Sequence, residues 1–331
     1  IAGDAAVKID RPRKQVFTQS GQVVNYDRLI LATGSQPFIP PIPGTELDGV
    51  LSFRDIYDVN RMLEYCEQKQ NAVVIGGGLL GLEAAYGLKQ RGMNVTVLHL
   101  MDRIMDRQLD SKASQMLKTA IEQKGIRILT EANTETLLGE NGHVKQVRLN
   151  DGTLLDADLV VFAVGIRPNI ALAQSAGLRC QRGVLVNDTM QSYDPSIYAV
   201  GECIEHRGQT FGLVEPLWGQ AFICASHLAE HGSLTFKAPT VPTQLKVSGC
   251  DVFSAGNFEP EDDFEDIVLK DEKRQIYKRI IIQQDKVIGA VLFGDTEDGV
   301  WYAELIADQT PISNIRSKLL FGRDFALKKA G

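Results

Sequence analysis

The segment that most constrains how this chain can fold is Gly76-Gly77-Gly78-Leu79-Leu80-Gly81. It follows a short apolar run, Ala72-Val73-Val74-Ile75, whose length and β-branched content predict a buried parallel strand. It precedes a helical pattern that extends to about Arg91 and is closed by Gly92 in a C-cap position. Strand, Gly-x-Gly-x-x-Gly and helix in that order form the turn that brings backbone against a dinucleotide pyrophosphate. Gly76 permits the tight turn, Gly78 lets the backbone approach, and Gly81 lets helix and strand pack closely. Leu79 and Leu80 then open a helix whose unpaired N–H groups and partial positive charge face the phosphates.

In that pattern an acidic residue about twenty positions on, at the end of the second strand, holds the adenosine ribose. Here Val95-Thr96-Val97-Leu98 ends in His99, so that position has no carboxylate to accept a 2′-hydroxyl or repel a 2′-phosphate. Arg103 is close enough in sequence to meet a phosphate. NADH and NADPH both stay open, and His99 reads equally well as a bystander at a strand end. Glu83, two residues past the third glycine, is expected on the first helical turn, where the helix dipole favours a negative charge.

Elsewhere the punctuation comes from glycine, proline and apolar runs. Residues 1–36 read as strands joined by polar turns, ending in Tyr26-Asp27-Arg28-Leu29-Ile30-Leu31-Ala32-Thr33-Gly34. Pro37, Pro40, Pro41 and Pro43 then read as a connector. Strand and helix alternate from Asn71, with Asp110 or Ser111 capping a helix that stops at Gly125. An antiparallel meander is expected over 133–155, turning at Asn141-Gly142 and Asp151-Gly152. A buried strand follows from Asp158 to Val164, then short strands within 184–202 and a helix over about 216–230. Beyond Pro239 four alternating strands and two helices predict a separate α+β domain.

The net charge of −7 argues against a nucleic-acid partner. It also fits poorly with an anionic membrane surface, and no apolar run approaches the length that spans a bilayer. The five cysteines are scattered, without a C-x-x-C pair or a metal-binding quartet. That suits a reducing cytoplasm, where each serves as a small core residue. Trp218 and Phe222, at i, i+4 spacing, are expected in the core, with the lining of a flavin pocket as the alternative. The acidic stretch Glu259 to Asp266 is expected in a solvated loop, with a docking patch for a basic carrier as the alternative.

Three distant segments read together resemble the two-dinucleotide-binding flavoproteins. They are Tyr26–Gly34, the Gly76–Glu83 turn and Ser196-Ile197-Tyr198-Ala199-Val200-Gly201-Glu202. The resemblance implies an FAD domain carrying Ala32, Thr33 and Gly34 together with Gly201 and Glu202, with an NAD(P) domain inserted between. Glu202, where most members have Asp, would accept the flavin ribityl hydroxyls. The chain would then be α/β, with two Rossmann-like domains and a C-terminal α+β domain. Their expected bounds are 1–45 with 166–238 for FAD, 46–165 for NAD(P), and 239–331 for the last. The family's FAD glycine turn, expected upstream, is not in this sequence, which reads as a piece beginning inside a domain and expected to hold FAD weakly by itself.

Within that family the chain is similar to assimilatory NAD(P)H nitrite reductase large subunits. The likeness lies in Gly76–Ala85, Gln108-Leu109-Asp110, Phe162–Asn169, Tyr198–Cys203 and Gly212-Leu213-Val214-Glu215-Pro216. It extends through Ile276–Arg279 and Gly289–Thr296. The implied chemistry is hydride transfer from NAD(P)H to FAD and one-electron delivery to a metal centre, on the way from nitrite to ammonia. By that resemblance Glu83 touches the nicotinamide side, while Ala163, Val164 and Gly165 are expected to flank the bound nucleotide at the C-terminal end of a parallel strand. The helix beginning near Pro216, with Val214 and Glu215 before it, faces the flavin pyrimidine. Siroheme and iron–sulfur segments are expected outside this chain, and no catalytic acid or base is required. A free-standing rubredoxin or ferredoxin reductase, passing electrons to a small redox protein, is the second reading; an NADH oxidase or disulfide reductase is the third. A homodimer remains open.

Overall fold

The computed structural model describes residues 1–229, 234–239, 242–247, 249–260 and 263–327. They divide into two compact units, Ile1–Phe38 with Gly165–Pro239, and Ile39–Val164 with Thr240–Gly331. Residues 39–45 therefore group with the inserted segment rather than with what precedes them. The reason is local: the Pro43 carbonyl accepts the Leu137 N–H at 2.9 Å, and Ile42 and Leu47 pack on the core of the meander.

The second unit is built on a five-stranded parallel sheet. Its spatial order is Val50–Ser52, Leu159–Phe162, Asn71–Ile75, Asn94–Leu98, Ile126–Leu129. Strands covered on both faces need apolar side chains throughout, and Val73, Val74, Val97, Leu159, Val160 and Val161 are all buried. Helices Leu79–Gln90 and Ser111–Glu122 pack on it through Leu82, Ala85, Leu88, Leu117 and Ile121. The meander is present as Thr134–Glu140, His143–Leu149 and Leu154–Asp156, turning where Asn-Gly and Asp-Gly stand.

The C-terminal part of this unit is a five-stranded antiparallel sheet. Its order is Thr243–Val247, Cys250–Gly256, Lys286–Phe293, Ile276–Gln283, Glu265–Asp271. Alternation along its strands serves two cores, because successive side chains point to opposite faces. Val252, Tyr277, Val291 and Phe293 join the core that contains Ala85 and Leu117. Phe253, Ile280, Ile282 and Leu292 pack with Trp301, Tyr302 and Leu305 of helix Gly299–Asp308. The second expected helix is instead a 3-10 turn, Arg316–Phe321, and a short helix, Arg323–Leu327, broken at Gly322 with φ +87°.

In the first unit Leu29–Leu31 pairs in parallel with Ile197–Ala199, and Ser35–Pro37 pairs antiparallel with Ile166–Pro168. The strands Ala6–Asp10, Gln15–Thr18 and Val23–Asn25 form a separate antiparallel sheet. The helix predicted over about 216–230 runs from Val214 to Leu228; His231 and the rest of 230–233 lie outside the described residues. Trp218 and Phe222 are 71% and 64% exposed, so they do not occupy the core position expected of them. That helix turns Pro216, Gln220, Ile223 and Cys224 inward instead.

Candidate functional site

The glycine-rich turn has the geometry its spacing predicts. Gly76 sits at φ +122°, and a side chain there would run into the carbonyl of Ala163 at the end of the neighbouring strand. Gly81 needs closeness rather than an unusual dihedral, since a Cβ on it would overlap the carbonyl oxygen of Gly76. Gly78 is the N-cap of Leu79–Gln90, with no side chain capping the helix and open space where its own side chain would stand. The N–H groups of Leu79, Leu80 and Gly81 thus have no intrahelical acceptor, and they lie at the positive end of the helix.

The loop after Asn94–Leu98 braces this turn. His99 Nδ1 accepts the Gly77 N–H at 3.0 Å, and the Gly77 carbonyl accepts the Met105 N–H at 2.9 Å. The other ring nitrogen of His99, Nε2, lies 3.1 Å from Asp106 Oδ1. His99 is therefore no bystander, because it fixes the turn and carries a carboxylate behind it. The carboxylate nearest the strand end in the turn's hydrogen-bond network is Asp106, seven residues on, held by His99.

Arg103 has a partner other than the phosphate suggested by its position. Its Nη2 lies 2.8 Å from both carboxylate oxygens of Glu259, and Nη1 lies 3.8 Å from Asp102. The acidic stretch is thus more than a solvated loop: Glu259 holds Arg103, Asp266 holds Arg279 at 2.8 Å, and Glu265 holds Arg316 at 2.6 Å. Glu261 and Asp262 of that stretch lie outside the described residues.

Glu83 falls one turn further in than expected, because the helix begins at Leu79 and its first turn holds no acidic residue. Its carboxyl is pushed above the ordinary value by loss of solvation. The residue is nevertheless exposed overall. Val164, at the end of strand Leu159–Phe162, is 36% exposed. Its backbone N lies within contact distance of a Cβ placed on Gly76, which puts it beside the turn.

In the first unit the two distant signature segments come together. The Val200 N–H donates to Leu31 O at 3.0 Å, Thr33 Oγ1 donates to Asn169 O at 2.6 Å, and Gly34 O accepts from Asn169 N at 2.9 Å. Ser35 Oγ donates to Glu202 Oε2 at 2.7 Å, joining the residue after Ala32-Thr33-Gly34 to the acid after Gly201. The Gly201 N–H donates to Gln220 Oε1 at 2.7 Å, and Gln220 Nε2 is buried without a partner. Val214 and Glu215 are exposed on the first turn of Val214–Leu228, whose N-terminus no side chain caps.

Gln220 and Asp106 carry these contacts although neither was singled out in sequence. An amide among Leu217, Ile223 and Cys224 on a helix was a readable signal for Gln220; nothing in the spacing marked Asp106. Burial pushes the thiols of Cys66, Cys180, Cys224 and Cys250 up, which keeps them unreactive. Among the described residues no group of three or more His, Cys, Asp or Glu could hold a metal ion, and no helix is long and apolar enough to cross a membrane.

Residues 1–220 match the family described as pyridine nucleotide-disulphide oxidoreductase, and residues 242–310 match the rubredoxin NAD+ reductase C-terminal domain. The chain belongs to the pyridine nucleotide-disulphide oxidoreductase family, whose members bind FAD and NAD(P)H. Within that class it is similar to the nitrite reductase [NAD(P)H] of Bacillus subtilis, 46% identical over 310 residues. That alignment takes in 94% of this chain and 38% of the relative. The assimilatory nitrate reductase electron transfer subunit of the same organism is 41% identical over 318 residues, 96% of this chain and 41% of that one. The chain thus spans about two fifths of the length of these curated relatives. A crystal structure of a ferredoxin reductase from Rhodopseudomonas palustris superposes with a TM-score of 0.84 at 25% identity, over 93% of this chain and 77% of that one.

Proposed function

We propose that this chain is the electron-input part of an assimilatory nitrite reductase, taking electrons from NAD(P)H through FAD toward a metal centre. The observation that carries the reading is the uncapped helix start behind Gly76-x-Gly78-x-x-Gly81, braced from below by His99 and Met105. A pyrophosphate suits that place because it brings the acceptors and negative charge the helix end lacks. Gly76, Gly78, Leu79, Leu80 and Gly81 would hold it, with His99 and Arg103 on the adenosine side. Glu83, Val164 and Gly165 would border the nicotinamide.

FAD suits the first unit on its own observation, the buried and unpartnered amide nitrogen of Gln220 next to Gly201. Buried donors find partners in nearly all folded proteins, so a ligand acceptor there would complete the site. Ala32, Thr33, Gly34, Gly201, Glu202, Val214 and Glu215 are the residues we assign to it. FAD held there would supply hydride acceptance and one-electron release. The chain's own part is to orient: Ser35 fixes the Glu202 carboxylate, and Gln220 fixes the Gly201 backbone. We assign FAD to residues 1–38 with 166–238, NAD(P) to 46–165 together with the 39–45 segment that packs on its meander, and a third domain to the residues from 239. Siroheme and iron–sulfur centres would lie on other segments of the protein, in a reducing cytoplasm that suits five free cysteines.

The match of residues 242–310 favours one second reading, an NAD(P)H-dependent rubredoxin or ferredoxin reductase that serves a separate small redox protein. Anaerobic mixing of the intact, FAD-loaded protein with NADH and with NADPH tests the shared core. The visible flavin band should bleach with at least one of them; no bleaching by either sinks both readings. Ammonia formation from nitrite by the same preparation separates them.

A further inference from the structure

Charge crowds the place where an adenosine ribose would lie, the end of strand Asn94–Leu98. The loop there contributes Asp102, Arg103, Asp106 and Arg107, two carboxylates against two guanidinium groups. The C-terminal sheet domain adds a third carboxylate, Glu259, which follows strand Cys250–Gly256. Its side chain is half exposed but held at both carboxylate oxygens. Both its oxygens stand 2.8 Å from Arg103 Nη2, and the Arg103 side chain keeps only 22% of its exposure. With Asp102 3.8 Å from Nη1, the guanidinium is held by carboxylates on two sides, while its Nε is buried without an acceptor.

A 2′-phosphate is recognised by a cation free to bond it, most effectively the planar fork of an arginine. Arg103 is the arginine of this loop nearest the strand end, and Glu259 already occupies it. A 2′-phosphate arriving at Arg103 must displace that carboxylate or stand beside it and its acidic neighbours; Arg107, the second guanidinium, is exposed four residues further along the loop. A 2′-hydroxyl meets neither difficulty, and Asp106, held by His99, is an acceptor for it. We propose that Glu259 sets the nucleotide preference of this site: by holding Arg103 it denies a 2′-phosphate its cation, so NADH is taken in preference to NADPH. This inference rests on the reading of the glycine turn as the nicotinamide-nucleotide site.

The test is calorimetric titration of the intact protein with NAD+ and with NADP+, which needs no turnover. The native protein should bind NAD+ the more tightly. Glu259→Gln should strengthen NADP+ binding on the order of ten-fold, the worth of one freed charge-assisted contact, and leave NAD+ within about two-fold. Adding Arg103→Ala to that variant should return NADP+ to its native weakness. Far-UV circular dichroism and a melting temperature close to the native one show that each variant is folded. The proposal is overturned if NADP+ affinity does not respond to Glu259→Gln, or if the native protein prefers NADP+. Failure of the native protein to bind either nucleotide is a different result, because it removes the nucleotide site itself and this inference with it.

Discussion

Two helices of the inserted domain start on parallel strands of one sheet and are finished in opposite ways. Ser111–Glu122 has its N-terminus closed: Asp110 accepts the Ala113 N–H at 2.9 Å, and its other oxygen takes Tyr277 Oη at 2.7 Å and Arg279 Nη1 at 3.2 Å. Asp110 is 4% exposed, so this helix end serves as a joint between the parallel sheet domain and the C-terminal sheet. Leu79–Gln90 has its N-terminus left bare, with Gly78 as cap and open space before it. The same backbone feature, unpaired N–H groups at a positive helix end, is spent internally in one case and kept for a ligand in the other. The side chain at the cap position decides which.

Breaking the closed end should have the largest effect. Asp110→Ala leaves Arg279, Tyr277 and the Ala113 N–H without their shared acceptor. Loss of one partner from a buried ion pair costs about 3–5 kcal/mol, and urea denaturation should register a loss of that size while NAD+ affinity stays within about two-fold. A loss below about 1 kcal/mol would mean that Asp110 is not the joint described. Burial, and then the bond to Asp110, pushes the Tyr277 hydroxyl above its ordinary value. This tyrosine therefore stays a donor across the working pH range.

Next comes overpacking of the open end. Gly81→Ala places a methyl group where the Gly76 carbonyl stands. Overpacking of this kind costs about 1–3 kcal/mol, and the displaced turn should lose nucleotide binding altogether in calorimetry. If affinity survives with stability reduced, the turn holds no pyrophosphate.

The comparison is sharpened most by turning one helix end into the other. Gly78 lies at φ −82° and ψ −176°, an extended conformation open to any residue. Gly78→Asp gives Leu79–Gln90 the kind of cap that Asp110 gives its neighbour. Thermal unfolding should then show a gain of about 1 kcal/mol. NAD+ binding should weaken by about ten-fold or more, because a carboxylate now occupies the N–H groups and repels the phosphates. A parallel fall in stability and affinity would show instead that the cap is not formed.

How much of this was legible follows from how far apart in sequence the cooperating groups lie. The glycine turn is local, so strand, turn and helix were readable from residues 72–92. Asp110 was readable as a cap, but its bonds to Tyr277 and Arg279 span 167 and 169 residues, and no spacing rule reaches that far. Arg103 illustrates what this leaves unseen: its position beside the second strand suggested a phosphate, and nothing in the spacing pointed to Glu259, 156 residues away, which pairs with it. Trp218 and Phe222 failed for another reason. Their i, i+4 spacing defines a face but not which way that face turns, and the opposite face carries Gln220 and Ile223 inward.

The smallest expected effect lies one turn inside the open helix, at Glu83. Reduced solvation raises its carboxyl above the ordinary value, so the folded protein holds this proton more tightly than the unfolded chain does. Stability from this group is therefore fully present below the ordinary carboxylate range and declines as pH rises through the raised folded value. Glu83→Gln removes the decline. The variant should melt slightly higher than the native protein at pH 7, with the difference vanishing at pH values below about 4. Asp110 offers the contrast on the neighbouring helix, since its amide variant should lower the melting temperature at pH 7. A rise at position 83 and a fall at 110 would show that one helix carries a carboxylate for its ligand and the other for its own fold. Two falls would assign Glu83 a structural role after all.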